Sequence, residues 1–387
     1  MKFIHTTISI LFMFSVTELF AQKKSNAVSW CIAGELPSNN GQPVSLGVAG
    51  PVTGVHDKMM FVAGGANFPD SMPWQGGKKR YYNHIDVFTK TSNHLIPVAG
   101  NFNLPDKIAY AASCSTPNGV LYAGGENETG ISDKTFLLKW DAETKSVAIE
   151  TLAALPVAVT NASATSHNSI VFIAGGESRD GVSDKCWSID LSNSASGWKE
   201  LPSLPKPVSH AVFVSIKSAD SLKLYLVGGR RKTTQGISEL YNSVFELSIG
   251  ENQWKELPPL LYALSAGTGV ATSSGGIVLF GGDQGTTFSK VEGYLSAISK
   301  ATNETEKQQL VQQKNQLLTS HPGFSKEILF YNITSGKTKT AGTIPYPVPV
   351  TTTAFWWDNV VMIPSGEIKA GVRTPQILMA KIKRWLK

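Results

Sequence analysis

Short apolar runs that end in a pair of glycines recur along the chain: "FVAGGANF", "LYAGGENE", "VFIAGGES", "LYLVGGRR" and "VLFGGDQG". Runs this short, rich in Val, Leu, Ile, Phe and Tyr and bounded by turn residues, predict buried strands rather than helices. The first glycines are Gly64, Gly124, Gly175, Gly228 and Gly281, so the runs are almost evenly spaced. Gly366 follows Gly281 only after a much longer interval, which contains "SKVEGYLSAISKATNETEKQQLVQQKNQLLTS". That segment is polar, rich in Gln and Lys and nearly free of Gly and Pro, which predicts a helical insertion near 289–320. With the segment set aside the last interval matches the others, so a sixth repeat falls on schedule.

A repeat of roughly 50 residues with a strand–Gly–Gly signature is that of a kelch-type propeller blade, a four-stranded antiparallel sheet. The outer strands keep the same period: "WKELP" stands at Trp198–Pro202 and again, one repeat further on, at Trp254–Pro258. A degraded copy, "WCIAGELP", runs from Trp30 to Pro37 near the start, while the last repeat supplies only three strands, "TTAFWW", "VVMIPSG" and "ILMAKIKRW". The N-terminal strand is the missing fourth. The prediction is an all-β, six-bladed propeller, one domain over 22–387, closed by pairing of the first and last strands so that no sheet edge is left open.

Glycine tolerates φ > 0 and close backbone approach, which the turn leaving each such strand requires. The residues after each pair then fall on loops that converge on the central channel. The loop from Ala66 carries Asn67, Trp74, Lys78, Lys79, Arg80, Tyr81 and Tyr82; later loops carry Glu126, Glu177, Arg230, Arg231, Asp283 and Gln284. Arginine forks and aromatic faces suit a sugar or a carboxylate. Asn67, Arg80, Tyr81, Glu126, Arg230 and Asp283 are therefore candidate substrate-binding residues. His210 and His321 are in reach of the same region, with no spacing that marks them as ligands. The sixth repeat, "PSGEIKAGVRT", is different. With Gly366 as its first glycine, Glu367 stands where the second should be, and Arg373 follows across a short loop containing Gly371. The two side chains suit a general base and an anion-fixing guanidinium, or else an ion pair closing a tight turn. The residues alone leave both open.

The chain begins with Lys2, an apolar run "FIHTTISILFMFSV" and a small residue at Ala21, the pattern of a secretory signal peptide over 1–21. That run is shorter than the roughly 20 residues a bilayer span needs, and no later segment is long and apolar enough, so the mature chain is expected to be soluble and exported. The 35 glycines, 20 prolines and nine tryptophans fit many strands and turns. Three cysteines, Cys31, Cys114 and Cys186, permit one bridge at most and no disulfide framework. The formal charge of +6 is scattered, without a basic run or a nucleic-acid motif, which argues against nucleic-acid binding. Nothing matches a zinc spacing, a phosphate cradle, a nucleophile elbow or a dinucleotide fingerprint.

The run Gly366-Glu367-Ile368-Lys369-Ala370-Gly371-Val372-Arg373-Thr374 resembles the G-E-x-K-x-G-x-R-T signature of the N-acetylneuraminate mutarotases, or sialic acid epimerases. The segments "FVAGGANF…GGKKRYYNHIDVF" and "GGDQGTTFSKVEGYLSAISKA" resemble that family's extended-loop blade and its blade with a helical insertion. The resemblance implies a six-bladed kelch propeller exported to the periplasm of a Gram-negative bacterium. It also implies isomerisation of a small acidic sugar, N-acetylneuraminate, with no metal or other cofactor and no membrane partner once the leader is removed. Glu367 becomes the proton acceptor and Arg373 the partner of the substrate carboxylate. The signature blade is last here and the extended-loop blade first, so the chain resembles the cyclically permuted subgroup. It departs from the family at Lys107 and Pro207, where arginine is usual, and this bears on substrate identity. A non-catalytic exported propeller that binds glycans or proteins is the alternative.

Overall fold

The computed structural model describes residues 27–38, 44–218 and 221–383. The expected leader, 1–21, lies outside the described residues. Six four-stranded antiparallel sheets form a ring, in the order the repeats predict. In blades 2 to 5 the strands run outward from the axis in chain order, as in blade 2 with Ala112–Thr116, Gly119–Ala123, Thr135–Asp141 and Ser146–Leu152. Blade 1 is built from Val52–His56, Met59–Ala63, His84–Lys90 and Leu95–Pro97, with an extra short strand, Phe102–Asn103, beside His84 and Ile85. Blade 6 takes Phe355–Trp357, Val360–Pro364 and Gln376–Ile382 from the end of the chain and Val28–Glu35 from its beginning. The register runs from Val28↔Ile382 to Glu35↔Gln376, so the ring closes as expected.

The second strand of each blade is sandwiched between neighbouring blades, which is why it reads as continuous apolar sequence. All five residues of Gly119–Ala123, Gly276–Phe280 and Val360–Pro364 are buried. The innermost strands read differently, as in "ASCST", "SATSH" and "TGVAT". Their free edges face the next blade, and Ser and Thr side chains satisfy them. Ser113 Oγ accepts from Thr53 N–H at 3.2 Å and Ser115 Oγ from Val55 N–H at 2.9 Å. Thr165 Oγ1 accepts from Ser215 N–H at 3.0 Å, and Thr268 Oγ1 from Ala354 N–H at 2.6 Å. Small hydroxylated residues thus stitch the blades together at the axis, where larger side chains would not fit and bare edges would be costly.

A collar surrounds the axis just before these strands. Gly50, Tyr110, Asn161, His210, Ala266 and Thr351 all have φ between 52° and 63°. Each donates its N–H to the carbonyl of the preceding member, and Gly50 closes on Thr351, with distances of 2.7 to 3.1 Å. Left-handed geometry costs a non-glycine residue roughly 1–2 kcal/mol, and here the closed hydrogen-bonded ring holds it in place.

The register of the sixth repeat differs from the expected one. Ala66, Glu126, Glu177, Arg230, Asp283 and Glu367 each bridge the chain entering their own blade in the same way. Glu367 is therefore the residue after the pair, Gly366 is the second glycine and Ser365, at φ 55°, occupies the first slot. At that slot in blades 1 to 4 a Cβ would lie 2.1 to 2.4 Å from a backbone oxygen, which demands glycine. Ser365 is accommodated because its Oγ bonds to what surrounds it, 2.7 Å from Thr374 O and 2.9 Å from Val48 O.

The insertion before the third strand of blade 5 forms two helices, α1 (Thr286–Lys300) and α2 (Glu304–Thr319). It begins slightly earlier than the composition predicts, because Gly285 at φ 90° caps α1 two residues after Asp283. The three cysteines are free, two of them buried.

Candidate functional site

The loops after the glycine pairs, the collar and the insertion enclose a cavity of 380 Å³ at one mouth of the axis. That is within the roughly 300–1,000 Å³ of small-molecule sites. Its polar wall is the ring of residues that follow the glycine pairs: Glu126, Glu177, Arg230, Asp283 and Glu367. Tyr110, Asn161, His210 and Thr351 of the collar form the floor. Phe288, Val291 and Leu318 of the helices, with Phe324, make the remaining wall apolar.

Glu367 and Arg373 face each other across a tight ribbon, Glu367–Lys369 against Val372–Arg373, turned at Gly371. Glu367 Oε1 accepts from Gly371 N–H at 2.8 Å, and its Oε2 lies 3.7 Å from Arg373 Nη2. The carboxylate side chain keeps 20 % of its surface exposed, whereas Arg373 keeps 4 %. The guanidinium stacks on Phe68, 4.7 Å from the ring centre. The extended loop of blade 1 seats on this turn: a Cβ at Gly371 would lie 3.0 Å from Pro73 and 3.2 Å from Trp74.

The other charges are paired around the cavity. Glu126 Oε1 accepts from Tyr81 Oη at 2.8 Å and from Lys79 Nζ at 3.1 Å. Burial works against the Lys79 charge, but Tyr110, Glu126 and Tyr81 outweigh it and hold the ammonium well above the usual lysine range. Burial and the bond to Glu126 push Tyr81 up to about 12. Glu177 Oε1 accepts from Ser209 Oγ at 2.9 Å and lies 3.7 Å from Arg230 Nη2. Arg230 in turn stacks on Phe288 at 4.5 Å and reaches His210 Nε2 at 3.5 Å. Burial and the Arg230 charge hold His210 well below the usual imidazole range, so it is neutral. Asp283 Oδ1 accepts from Gly285 N–H at 2.7 Å. Among the described residues no group of three or more His, Cys, Asp or Glu is arranged to hold a metal ion.

Of the residues the sequence singles out, Glu126, Arg230, Asp283 and Glu367 line the cavity. Tyr81 stands one step behind, holding Glu126, and Arg373 one step behind Glu367. Asn67 and Arg80 do not join them. The strand pairs Ala66↔Tyr81 and Asn67↔Arg80, and neighbouring residues on a strand face opposite sides. With Tyr81 turned toward Glu126, Asn67 and Arg80 turn away. Asn67 is buried against Gly47 O and Tyr82 Oη, both at 2.8 Å, and Arg80 pairs with exposed Asp70 at 3.3 Å. The collar residues Tyr110, Asn161 and Thr351 are not among the candidates named from the sequence. Their signal is a constant offset ahead of the first-glycine slot: Gly50 precedes Gly64 as Tyr110 precedes Gly124, Asn161 precedes Gly175 and Thr351 precedes Ser365.

Fold and site together define a six-bladed β-propeller with a carboxylate-bearing polar cavity at the mouth of its axis. A family model described as N-acetylneuraminate epimerase matches residues 152–385, and the chain belongs to that family. Curated relatives are similar at low identity. The N-acetylneuraminate epimerase of Haemophilus influenzae (strain 86-028NP) is 24 % identical over 237 residues, 60 % of each chain. That of Salmonella typhimurium is 25 % identical over 236 residues, 59 % of this chain and 58 % of the relative. These matches thus span about 60 % of the relatives' length. The solved structure titled "Structure of YjhT" superposes with a TM-score of 0.61 at 14 % identity, over 92 % of this chain and 98 % of that one, a likeness of fold. Among the described residues no helix is long and apolar enough to cross a membrane.

Proposed function

We propose that the protein is a mutarotase that interconverts the α and β anomers of N-acetylneuraminate, or of a related acidic sugar, by opening and reclosing its ring. The observation that carries this is the Glu367 carboxylate, open to the cavity while Gly371 N–H and Arg373 hold it from behind. A carboxylate so fixed takes the proton of the anomeric hydroxyl. The bond from the anomeric carbon to the ring oxygen then breaks, the ring oxygen gains a proton, and closure on the other face of the carbonyl gives the other anomer. General acid–base help of this kind is worth roughly 10²–10⁴-fold, ample for a reaction that also runs unaided.

The expected role of Arg373 is revised within this proposal. With 4 % of its side chain exposed it does not meet a substrate carboxylate; it orients Glu367. Arg230 and Lys79, both on the cavity wall, are the cations left to bind the substrate carboxylate. The apolar wall from the insertion suits the acyl group of such a sugar. The permuted blade order belongs to the proposal as well: the family match begins at residue 152, after blade 2, as it would if the relatives' blades followed another order. So do the leader at 1–21, export to the periplasm and the single domain over 22–387.

The test is NMR observation of anomer interconversion in freshly released N-acetylneuraminate. Wild type should accelerate it, and Glu367→Gln should abolish the acceleration while leaving thermal unfolding unchanged. Binding without acceleration by the wild type would instead favour a non-catalytic glycan-binding propeller.

A further inference from the structure

His321 stands at the end of the insertion, just after α2, and lines the cavity with 6 % of its surface exposed. Its orientation is fixed from three sides. Its backbone N–H reaches Leu318 O at 3.3 Å, its ring lies 5.1 Å from that of Phe324 at 57°, and Gly323 N–H donates to its Nδ1 at 3.0 Å. A backbone N–H can only donate, so Nδ1 carries a lone pair and the proton sits on Nε2. No other hydrogen bond of the described residues engages the ring. Burial drives its proton affinity below the usual imidazole range; the Asp283 and Glu367 carboxylates oppose this, and Lys369 adds to it. A second proton on the ring would also expel the Gly323 bond.

The cationic donors of the cavity, Lys79 and Arg230, are the groups assigned above to the substrate carboxylate. Lys79 is held by Glu126, Arg230 lies beside Glu177 and His210, and His210 Nδ1 lies 3.0 Å from Ser209 Oγ. His321 offers a neutral N–H whose direction is fixed by the Gly323 bond, on a ring close enough to Glu367 to feel its charge.

We propose that His321 is a further catalytic residue, a neutral imidazole whose Nε2–H hydrogen-bonds the ring oxygen as it leaves the anomeric carbon. The inference rests on the mutarotase reading and completes it. As Glu367 takes the anomeric proton, the hydroxyl's electron pair forms the carbonyl and the C–O pair of the ring passes to the ring oxygen. His321 Nε2–H stabilises the charge growing there; that oxygen takes a proton from water, and Glu367 later returns its own to water. The imidazole donates a hydrogen bond and does not lose its proton. It acts as an oxyanion-hole donor does, pre-oriented by the Gly323 bond.

Two variants separate this role from a structural one. His321→Asn keeps an acceptor for Gly323 N–H but removes the donor at the far position; His321→Gln restores a donor there. In the NMR anomerisation assay His321→Asn should lose roughly 10²-fold in kcat with little change in KM, as for removal of one oxyanion donor. His321→Gln should recover most of that loss. A fully active His321→Asn variant beside an active wild type sinks this inference alone, as does an equal loss in both variants that tracks their thermal stability. Absence of acceleration by the wild type sinks the mutarotase reading and the inference with it. The ¹⁵N shifts of His321 give a readout independent of turnover: the neutral Nε2–H tautomer is expected near neutral pH, and an Nδ1–H tautomer or an imidazolium would overturn the assignment.

Discussion

Arg373 shows how burial decides a residue's role. Its guanidinium is almost wholly enclosed, stacked on Phe68, with Glu367 the only carboxylate of the described residues in salt-bridge distance. An ion pair of this kind is weak evidence for stability, because desolvation offsets the attraction, but removing one member leaves the other uncompensated. Arg373→Met retains much of the packing volume on Phe68 and removes the charge beside Glu367. Unfolding should then cost roughly 1–3 kcal/mol less, the penalty of a stranded polar group. The catalytic signature should be a fall in kcat with KM nearly unchanged, read by the anomerisation assay over a range of sugar concentrations. A rise in KM with kcat intact would instead return Arg373 to the substrate's carboxylate. The repeat spacing exposes the Glu367–Arg373 pair but misplaces its register. Ser365 does not look like a glycine, yet it occupies a glycine's left-handed slot, its Oγ accepting from Val48 N–H and sharing its proton between the Val48 and Thr374 carbonyls. Once the slots are aligned, Glu367 is one of five charged residues at equivalent positions. What distinguishes it is the tight Gly371 turn and the arginine behind it, both legible in the sequence, whereas the burial of that arginine depends on three-dimensional packing and leaves no trace in spacing.

At the scale of elements, the insertion is legible as helix and illegible as a wall of the site. Its Gln- and Lys-rich composition fits two helices in which no residue is fully buried. The break between them carries its own signal, Asn303, whose side chain caps α2 by accepting from Thr305 and Glu306 N–H. Composition does not say where a helix pair lies, and only the fold brings Phe288, Val291 and Leu318 over the channel mouth. The pair is braced against the extended loop of blade 1 through Asn315 Nδ2 and Trp74 O at 3.4 Å. Phe288 is where the insertion touches the charged ring, beneath the guanidinium of Arg230. Partly desolvated cation–π contacts are worth about 1 kcal/mol, so Phe288→Ala should loosen Arg230 and raise KM roughly five-fold, with kcat and the thermal midpoint nearly unchanged. An unaltered KM would mean that Arg230 is fixed by Glu177 and His210 without help from the helix.

At the scale of the molecule, the repeat spacing predicts both the blade number and the closure, because a ring built from near-identical units leaves little freedom. The collar is hidden from such a reading: its members share a backbone conformation, and Tyr, Asn, His, Ala, Thr and Gly have no common chemistry. Yet the collar makes the ring continuous, each blade passing a hydrogen bond to the next. The chain ends add to this continuity, since Lys383 N–H donates to Ala27 O at 2.9 Å. In a ring closed in this way the position of the cut is arbitrary. A permutant that joins Lys383 to Ala27 through a short Gly/Ser linker and opens the exposed turn between Glu143 and Thr144 should therefore fold. That turn joins the two outer strands of blade 2, far from the cavity, and its opening leaves the Trp140↔Val147 pairing intact. The permutant should unfold in a single transition within a few degrees of the parent and retain its anomerisation rate. Opening the ring instead, by deleting 27–36, strips the outer strand from blade 6 and exposes the edge of Gln376–Ile382. Exposed edges invite association, so that variant should aggregate where the permutant stays monodisperse. If the permutant also aggregates on size-exclusion chromatography, the order of the blades along the chain matters to folding as well as their neighbours in space.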